Sequence, residues 1–292
     1  MVIELVQPAV EDLPAAVAAL SAWQREGGAL QLHPGDLGWY WQAGPQRTAA
    51  AIRTWSRNGQ LLAVGLLDGP GLVRMGLAPE ADEDAELAER VAADLTDPAR
   101  GVLPAGPVAV EARFGAALQR RLSDDGWAAD EPWTPLRRAL EVPLEHPGVR
   151  VETIGADRAH ECVAVHRSAF DSARFTEERW HAMASGPAFD DARCLVAYDE
   201  SGTAVATATV WSAGPGRPGL LEPMGVHAEH RGRGYGRAIS VAAAAALQDM
   251  GASSATVVTP SSLVSAVRTY VAAGFEALPE VTDFRHGGSP AV

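Results

Sequence analysis

The fold of this chain is decided by residues 230–238, which read His-Arg-Gly-Arg-Gly-Tyr-Gly-Arg-Ala. The apolar run Leu220 to Val226 before it is typical of a β-strand, and the alanine-rich run through Gln248 after it is typical of a helix. Alternate glycines allow a backbone to approach a ligand and to turn several N–H groups toward one point. The helix adds the positive end of its dipole, and three arginines add full charges. The stretch therefore predicts a pyrophosphate-binding loop.

Two other phosphate-binding loops fit the sequence poorly. A Walker loop needs the pattern GxxxxGK[ST], which is excluded because all 24 basic residues are arginine and the chain has no lysine. A dinucleotide-binding fold needs GxGxxG near the start of its domain and an acidic residue about 20 positions later. Here the glycines follow the pattern GxGxG and lie about 80 residues into the second half of the chain.

The rest of the second half predicts alternating strands and helices. We expect strands at Val151 to Ile154, Cys194 to Tyr198, Ala204 to Trp211 and Ala255 to Thr259. We expect helices at Asp157 to Phe170, Thr176 to Ala184 with Thr176 as N-cap, and Ser261 to Ala273 with Gly274 at its end. This order indicates an α+β fold, in which a mixed, mostly antiparallel sheet is flanked by helices.

The same plan occurs twice along the chain. Ile3 aligns with Val151 and Gly126 with Gly274, each 148 positions apart, and Met75-Gly76 aligns with Met224-Gly225 at 149. Three separated matches with nearly one offset indicate a duplication. We therefore predict two tandem domains, residues 1–145 and residues 149–292.

Composition limits the function classes. The net charge of −13 argues against a nucleic-acid partner, because such a partner requires a basic face. No apolar run reaches the roughly 18 to 20 residues that span a bilayer, and the acidic opening does not resemble a signal peptide. The two cysteines, Cys162 and Cys194, form no disulfide framework or metal motif, and we expect them to be small buried residues. We therefore expect a cytoplasmic protein with no metal and no membrane partner.

The chain resembles the GCN5-related N-acetyltransferase (GNAT) superfamily. Its signature [Q/R]xxGx[G/A] after a strand is matched by Arg231, Gly234 and Gly236. A second signature, a tyrosine four residues before a Gly-Phe pair, is matched by Tyr270 and the pair Gly274-Phe275. Arg231 and Tyr270 are 39 positions apart, with a helix and a strand between them, as the family requires. Leu263 stands where many members carry an asparagine. The resemblance covers residues 150–285 well and the first half in outline.

The resemblance implies two tandem GNAT-like domains and acetyl-CoA as co-substrate. An amine of a small molecule would attack the thioester directly in a ternary complex. The cofactor would contact Gly225, Val226, His227, Arg231, Gly232, Arg233, Gly234, Tyr235, Gly236 and Arg237. Tyr270 would be the general acid for the departing thiolate, although it could merely pack beneath the loop.

Glu222 is the candidate general base. It lies in an apolar strand, and Pro223, which cannot donate to a sheet ladder, predicts a bulge beside it. The second half also has one more residue here than the first, which supports the bulge. A carboxylate there with a raised pKa could deprotonate an ammonium group. The alternative interpretation, that Glu222 only forms a salt bridge with an arginine at the strand edge, is almost equally well supported.

The first half lacks these parts. Opposite Arg231, Gly232, Gly234 and Gly236 it has Asp82, Glu83, Ala85 and Leu87, and Leu122 replaces Tyr270. Acidic side chains would repel pyrophosphate, so we expect a degenerate, non-catalytic copy.

Several alternatives stay open. The chain could resemble mycothiol synthase, a tandem member that acts on a thiol-sugar precursor, or it could be a non-catalytic acetyl-CoA-binding protein. His227 and His230 could touch phosphate, and residues 38–41, Gly-Trp-Tyr-Trp, could wall a substrate pocket. His160 and His166 are six positions apart and do not form a metal pair. The protein could be a monomer or a homodimer.

Overall fold

The computed structural model describes residues 2–287. The helices are α1 (Leu13–Trp23), α2 (Pro34–Tyr40), α3 (Pro45–Ala51), α4 (Ala85–Thr96), α5 (Ala116–Asp124), α6 (Ala159–Ala169), α7 (Glu177–Ala184), α8 (Tyr235–Asp249) and α9 (Val264–Ala272). The strands are β1 (Ile3–Val6), β2 (Ile52–Arg57), β3 (Gln60–Leu67), β4 (Leu72–Leu77), β5 (Val108–Glu111), β6 (Ala128–Ala139), β7 (Arg150–Thr153), β8 (Ala192–Tyr198), β9 (Ala204–Trp211), β10 (Gly219–Val226), β11 (Ser254–Pro260), β12 (Glu276–Ala277) and β13 (Val281–His286).

The chain folds into two compact units. Unit 1 contains residues 2–33, 45–133 and 280–287, and unit 2 contains residues 34–44 and 134–279. The division does not follow the sequence halves throughout, because residues 34–44 join unit 2 and residues 280–287 join unit 1. The predicted division into domains 1–145 and 149–292 stays a prediction about the two copies of the duplicated sequence.

Unit 2 is built on the sheet order β7-β8-β9-β10-β11-β6. Neighbours from β7 to β10 are antiparallel, whereas β10 and β11 are parallel. The alanine-rich face of α8 packs on this sheet, with Ile239, Val241 and Leu247 fully buried. Alanines let a helix lie close to the sheet, since a methyl group adds little distance between backbones. The predicted strands and helices of the second half are all present, and Thr176 caps α7 by accepting a hydrogen bond from the Arg179 N–H.

Unit 1 repeats the first part of that plan. Its sheet order is β1-β2-β3-β4-β5-β13-β6, with neighbours from β1 to β4 antiparallel and β4 parallel to β5. In this unit β13, the last of the described strands, lies between β5 and the first part of β6. The α+β prediction, with mostly antiparallel sheets flanked by helices, is confirmed.

Candidate active site

The bulge that the sequence predicts is present in β10. Leu221 pairs with Val210 and Met224 with Ala208, so that Glu222 and Pro223 together face one residue of β9. One extra residue on one strand bends that strand and interrupts the ladder. The side chain of Trp211 crosses to this point, where its Nε1–H donates to the carbonyl oxygen of Glu222 at 2.7 Å. Glu222 therefore lies where β10 separates from a regular ladder.

The glycine-rich loop leads into the N-terminus of α8. Gly232 has φ +74° and Gly234 has φ +87°, a left-handed region that favours glycine, and added Cβ atoms there would meet no neighbour within 4 Å. Gly234 is the N-cap of α8, and it provides no side chain to accept from the helix N–H groups. A Cβ at Gly236 would lie 2.9 Å from Thr269 Cγ2, so this glycine allows α8 and α9 to pack closely. The first turn of α8 can thus present its N–H groups to an anion.

A cavity of about 590 Å³ runs from this loop to the end of β10. The loop and β10 contribute Met224, Gly225, Val226, His230, Arg231, Gly232, Gly234, Tyr235, Gly236 and Arg237 to its lining. Sequence reasoning missed the rest of the lining, which comes from α9 and the end of α6: Ala169, Phe170, Ser265, Ala266, Arg268, Thr269 and Ala272. Arg268 could have been found from its position two residues before Tyr270. Nothing in the sequence alone indicated Phe170.

The loop arginines also tie the loop to its neighbours. Arg231 donates to the Ala169 carbonyl at 2.6 Å, at the end of α6. Arg237 donates to the Ala272 carbonyl at 3.0 Å and pairs with Glu145. Arg233 is exposed, and neither it nor His227 belongs to the cavity lining. Of the three loop arginines, Arg231 and Arg237 therefore line the cavity, and hydrogen bonds to backbone carbonyls fix their positions.

Tyr270 is buried behind the cavity wall instead of lining it, and only 6% of its surface is exposed. Its ring packs on Phe275, with ring centroids 5.7 Å apart. Burial, and then the charge of Glu222, raise the pKa of the Tyr270 phenol well above its usual value. The phenol is therefore protonated at neutral pH, and it lies within electrostatic range of Glu222.

An aromatic cluster, formed by Trp39, His166, Phe170 and Phe175, adjoins the cavity through Phe170. The His166 ring lies 5.4, 4.5 and 4.7 Å from the rings of Trp39, Phe170 and Phe175. Burial lowers the pKa of His166 to about 4, so the imidazole is neutral at physiological pH. No pattern in the sequence indicated that Trp39, from the first half, meets α6.

Among residues 2–287, no group of three or more His, Cys, Asp or Glu side chains is arranged to hold a metal ion. Both cysteines are free and buried, as expected, and burial raises the pKa of the Cys162 thiol to about 11. Every helix in this range is too short or too polar to cross a membrane.

The corresponding region of unit 1 is occupied by its own side chains. Asp84 caps α4 by accepting from the Leu87 N–H at 2.9 Å, and it pairs with Arg57 at 2.7 Å. The Arg57 guanidinium, as the principal cause, lowers the pKa of the Asp84 carboxyl. At the end of β4, the buried amide of Gln31 hydrogen-bonds to both the N–H and the carbonyl of Leu77. The helix N-terminus of unit 1 thus carries a negative charge where that of unit 2 carries none.

Part of the chain matches a known protein family. Residues 159–275 match the family model described as "Acetyltransferase (GNAT) family". A sequence comparison with curated proteins gave no match.

Several solved structures share the fold over nearly the whole chain. A GCN5-related N-acetyltransferase from Sphaerobacter thermophilus is 20% identical, with a TM-score of 0.56 and coverage of 99% of this chain and 97% of that one. A GNAT-family acetyltransferase from Colwellia psychrerythraea is 15% identical, with a TM-score of 0.61 and coverage of 98% and 99%. A tandem GNAT protein from the clavulanic acid biosynthesis pathway is 14% identical, with a TM-score of 0.61 and complete coverage of both chains. Residues 159–275 therefore match the GNAT family of acetyltransferases, and this match supports an acyltransferase.

Proposed function

We propose that this protein transfers an acetyl group from acetyl-CoA to a primary amine of a small molecule, by direct attack in a ternary complex. The observation that carries the proposal is the cavity in unit 2, which extends from an uncapped helix N-terminus with two arginines to the end of β10 next to its bulge. The loop end of the cavity suits a pyrophosphate, and the β10 end lies near the Glu222 carboxylate and the Tyr270 phenol. A cofactor that joins a pyrophosphate to a distant thioester requires both ends.

The loop would bind the pyrophosphate through the backbone N–H groups of residues 231–236, with support from Arg231 and Arg237. Arg268, which also lines the cavity, would add a further charge at the phosphate end. The pantetheine arm would lie along the end of β10 at Gly225, Val226 and His227. Val226 lines the cavity, and a Cβ at Gly225 would lie 2.6 Å from the Ala169 Cβ, so this glycine keeps α6 close to the strand.

Glu222 and Tyr270 would carry the chemistry. The amine nitrogen forms a bond to the thioester carbonyl carbon, and its proton passes to Glu222, directly or through water. The tetrahedral intermediate then collapses, the carbon–sulfur bond breaks, and the departing thiolate takes a proton from Tyr270. Because its pKa is raised, the Tyr270 phenol keeps its proton at neutral pH. It gives up this proton only when the thiolate, a base, forms next to it.

Acetyl-CoA would bind only in the second half of the chain, which makes the first half a non-catalytic copy. Three features of unit 1 support this proposal. Asp84 puts a carboxylate on the helix N-terminus, Gln31 takes up the hydrogen-bonding groups of Leu77, and the buried Leu122 replaces the acid Tyr270. Phosphate would meet negative charge there.

A mycothiol-synthase-like activity is a variant of the same proposal, and a non-catalytic acetyl-CoA sensor is a different one. One experiment separates them: incubation with acetyl-CoA and a panel of small primary amines, including amino sugars, with detection of free CoA thiol. Thiol release that depends on an amine supports an enzyme, and the preferred amine identifies the acceptor class. Tight binding of acetyl-CoA without release in the presence of any amine would favour the sensor.

We also propose a cytoplasmic location. Two free buried thiols, Cys162 and Cys194, are compatible with a reducing compartment.

A further inference from the structure

The indole of Trp211 is placed to control the bulge of β10. Trp211 ends β9 and pairs with Leu220, and its side chain, only 1% exposed, reaches to the carbonyl oxygen of Glu222. The bulge interrupts the regular pairing between Leu221 and Met224, and Glu222 lies within this interruption. The 2.7 Å hydrogen bond from Nε1 supplies the Glu222 carbonyl with a fixed partner.

Helix α2, from the first half of the sequence, holds the indole in place within unit 2. A Cβ at Gly35 would lie 2.4 Å from Trp211 Cγ, and a Cβ at Gly38 would lie 2.3 Å from Trp211 Cζ3. The backbone of α2 therefore lies directly on the indole ring, and these two positions have room for glycine alone. Phe189 contacts the same ring edge-on, with centroids 6.2 Å apart. The ring has little freedom to rotate away from Glu222.

We propose that Trp211 is a positioning residue for Glu222, and that α2 is retained in unit 2 to hold Trp211. The proposal rests on the proposed role of Glu222 as general base. The rigid peptide plane that contains this carbonyl also contains the Glu222 Cα, so a displacement of the plane shifts the atom from which the side chain extends. A displacement of about 1 Å at a reacting group can cost on the order of a hundredfold in rate.

The test is the variant Trp211→Phe, which removes the indole N–H and keeps an aromatic ring against α2. We expect kcat to fall by about tenfold to a hundredfold, with unchanged affinity for acetyl-CoA by calorimetry. The loss should be largest at low pH, where the amine is protonated and a base matters most. The matched control is Trp127→Phe in unit 1: the Trp127 Nε1 is also buried and has no hydrogen-bond partner among the described residues. This control should keep normal kcat.

A second pair of variants separates the positioning role from general damage to the fold. In a Glu222→Gln background, Trp211→Phe should change kcat less than twofold, because there is no base left to misplace. Gly38→Ala, which pushes on the ring without removing the N–H, should reproduce the pH-dependent loss.

The outcomes are distinct. If Glu222→Gln lowers turnover while Trp211→Phe leaves it unchanged at every pH, the positioning role is wrong and the proposed base stands. If Glu222→Gln keeps full turnover, the proposed base is wrong. Equal losses from Trp211→Phe in both backgrounds would also overturn the positioning role, since they would indicate a structural effect.

Discussion

The side-chain amide of Gln31 forms two hydrogen bonds with one residue, Leu77: the Leu77 N–H donates to Oε1 at 2.8 Å, and Nε2 donates to the Leu77 carbonyl at 3.2 Å. Because this amide both accepts from and donates to the backbone of one residue, it takes the place of a neighbouring strand. Leu77 is equivalent to Val226, because Gly76 aligns with Gly225. At Val226 a cavity takes the place of such a side chain. Unit 1 therefore carries, as part of its own chain, an amide at the position where we propose that unit 2 binds the pantetheine amide.

This relationship leads to a prediction of stoichiometry. Acetyl-CoA should bind once per chain by calorimetry. The variant Gln31→Ala should also bind only one equivalent, because Asp84 and its partner Arg57 still occupy the N-terminus of α4. A second equivalent in the wild type would contradict the proposal that the first half is a non-catalytic copy.

The cofactor loop is tested by Gly234→Asp. The new side chain would have to adopt φ +87° and would place a carboxylate at the N-cap of α8, so we expect loss of measurable acetyl-CoA affinity. Gly216→Asp is the matched control, because Gly216 is an exposed glycine of the same unit with φ +72° and no neighbour near an added Cβ. Both proteins should fold, as judged by circular dichroism. Unchanged affinity in a folded Gly234→Asp protein would refute the assignment of the loop.

The general acid is tested by Tyr270→Phe. This change removes one hydroxyl and keeps the ring that packs on Phe275. Acetyl-CoA binding should survive, and kcat should fall by roughly a hundred- to ten-thousand-fold, as expected for a positioned general acid. CoA thiol is a good leaving group, so full turnover across the pH range would reduce Tyr270 to a packing residue without affecting the cofactor site.

The general base is tested by Glu222→Gln. Turnover should fall most near about pH 6.5 and least near about pH 9, because the acceptor amine becomes neutral without help as the pH rises. The pH profile of kcat/KM measures this directly. A uniform loss at all pH values would indicate that Glu222 binds or orients the acceptor and does not accept its proton.

A pH-dependent stability change is predicted at Asp283, which lies in β13 of unit 1. Burial raises the pKa of this carboxyl to about 6, against the attraction of Arg113. Because the folded pKa lies above the unfolded one, the folded state binds the proton more tightly, and wild-type stability falls as the pH rises from about 4 to about 6. The variant Asp283→Asn has no ionisable group at this position, so its stability does not change with pH for this reason. Relative to wild type, its free energy of unfolding should therefore rise over that interval, by at most about 3 kcal/mol. Urea unfolding at several pH values checks the trend, and a flat difference would contradict it.

Local patterns in the sequence predicted much of this structure. The extra residue and the proline of β10 predicted the bulge, Thr176 predicted a helix start, and Gly274, with φ +81°, ends α9. Each of these signals acts over a few residues, where backbone geometry dictates residue type. The glycine-rich loop belongs to the same class.

Long-range partners were beyond such patterns. The first-half segment 34–44 carries no signal that Gly35 and Gly38 pack on Trp211, because a glycine in a short helix has many explanations. The sequence also contains no signal that β13 pairs with β5 of unit 1, because a strand of alternating residues can pair with several sheet edges. The contributions of Phe170 and Arg268 to the cavity required the fold itself.

The place of β13 in unit 1 also has a consequence for the order of events during synthesis. β13 lies between β5 and β6, yet the ribosome makes it after all other described strands and helices. By that time every residue of unit 2 has been translated, including the segment 34–44 that was made early. Nascent chains usually complete their N-terminal domain first. In this protein the second unit can close its sheet first, while the first retains an open edge at β5 until the last strand arrives.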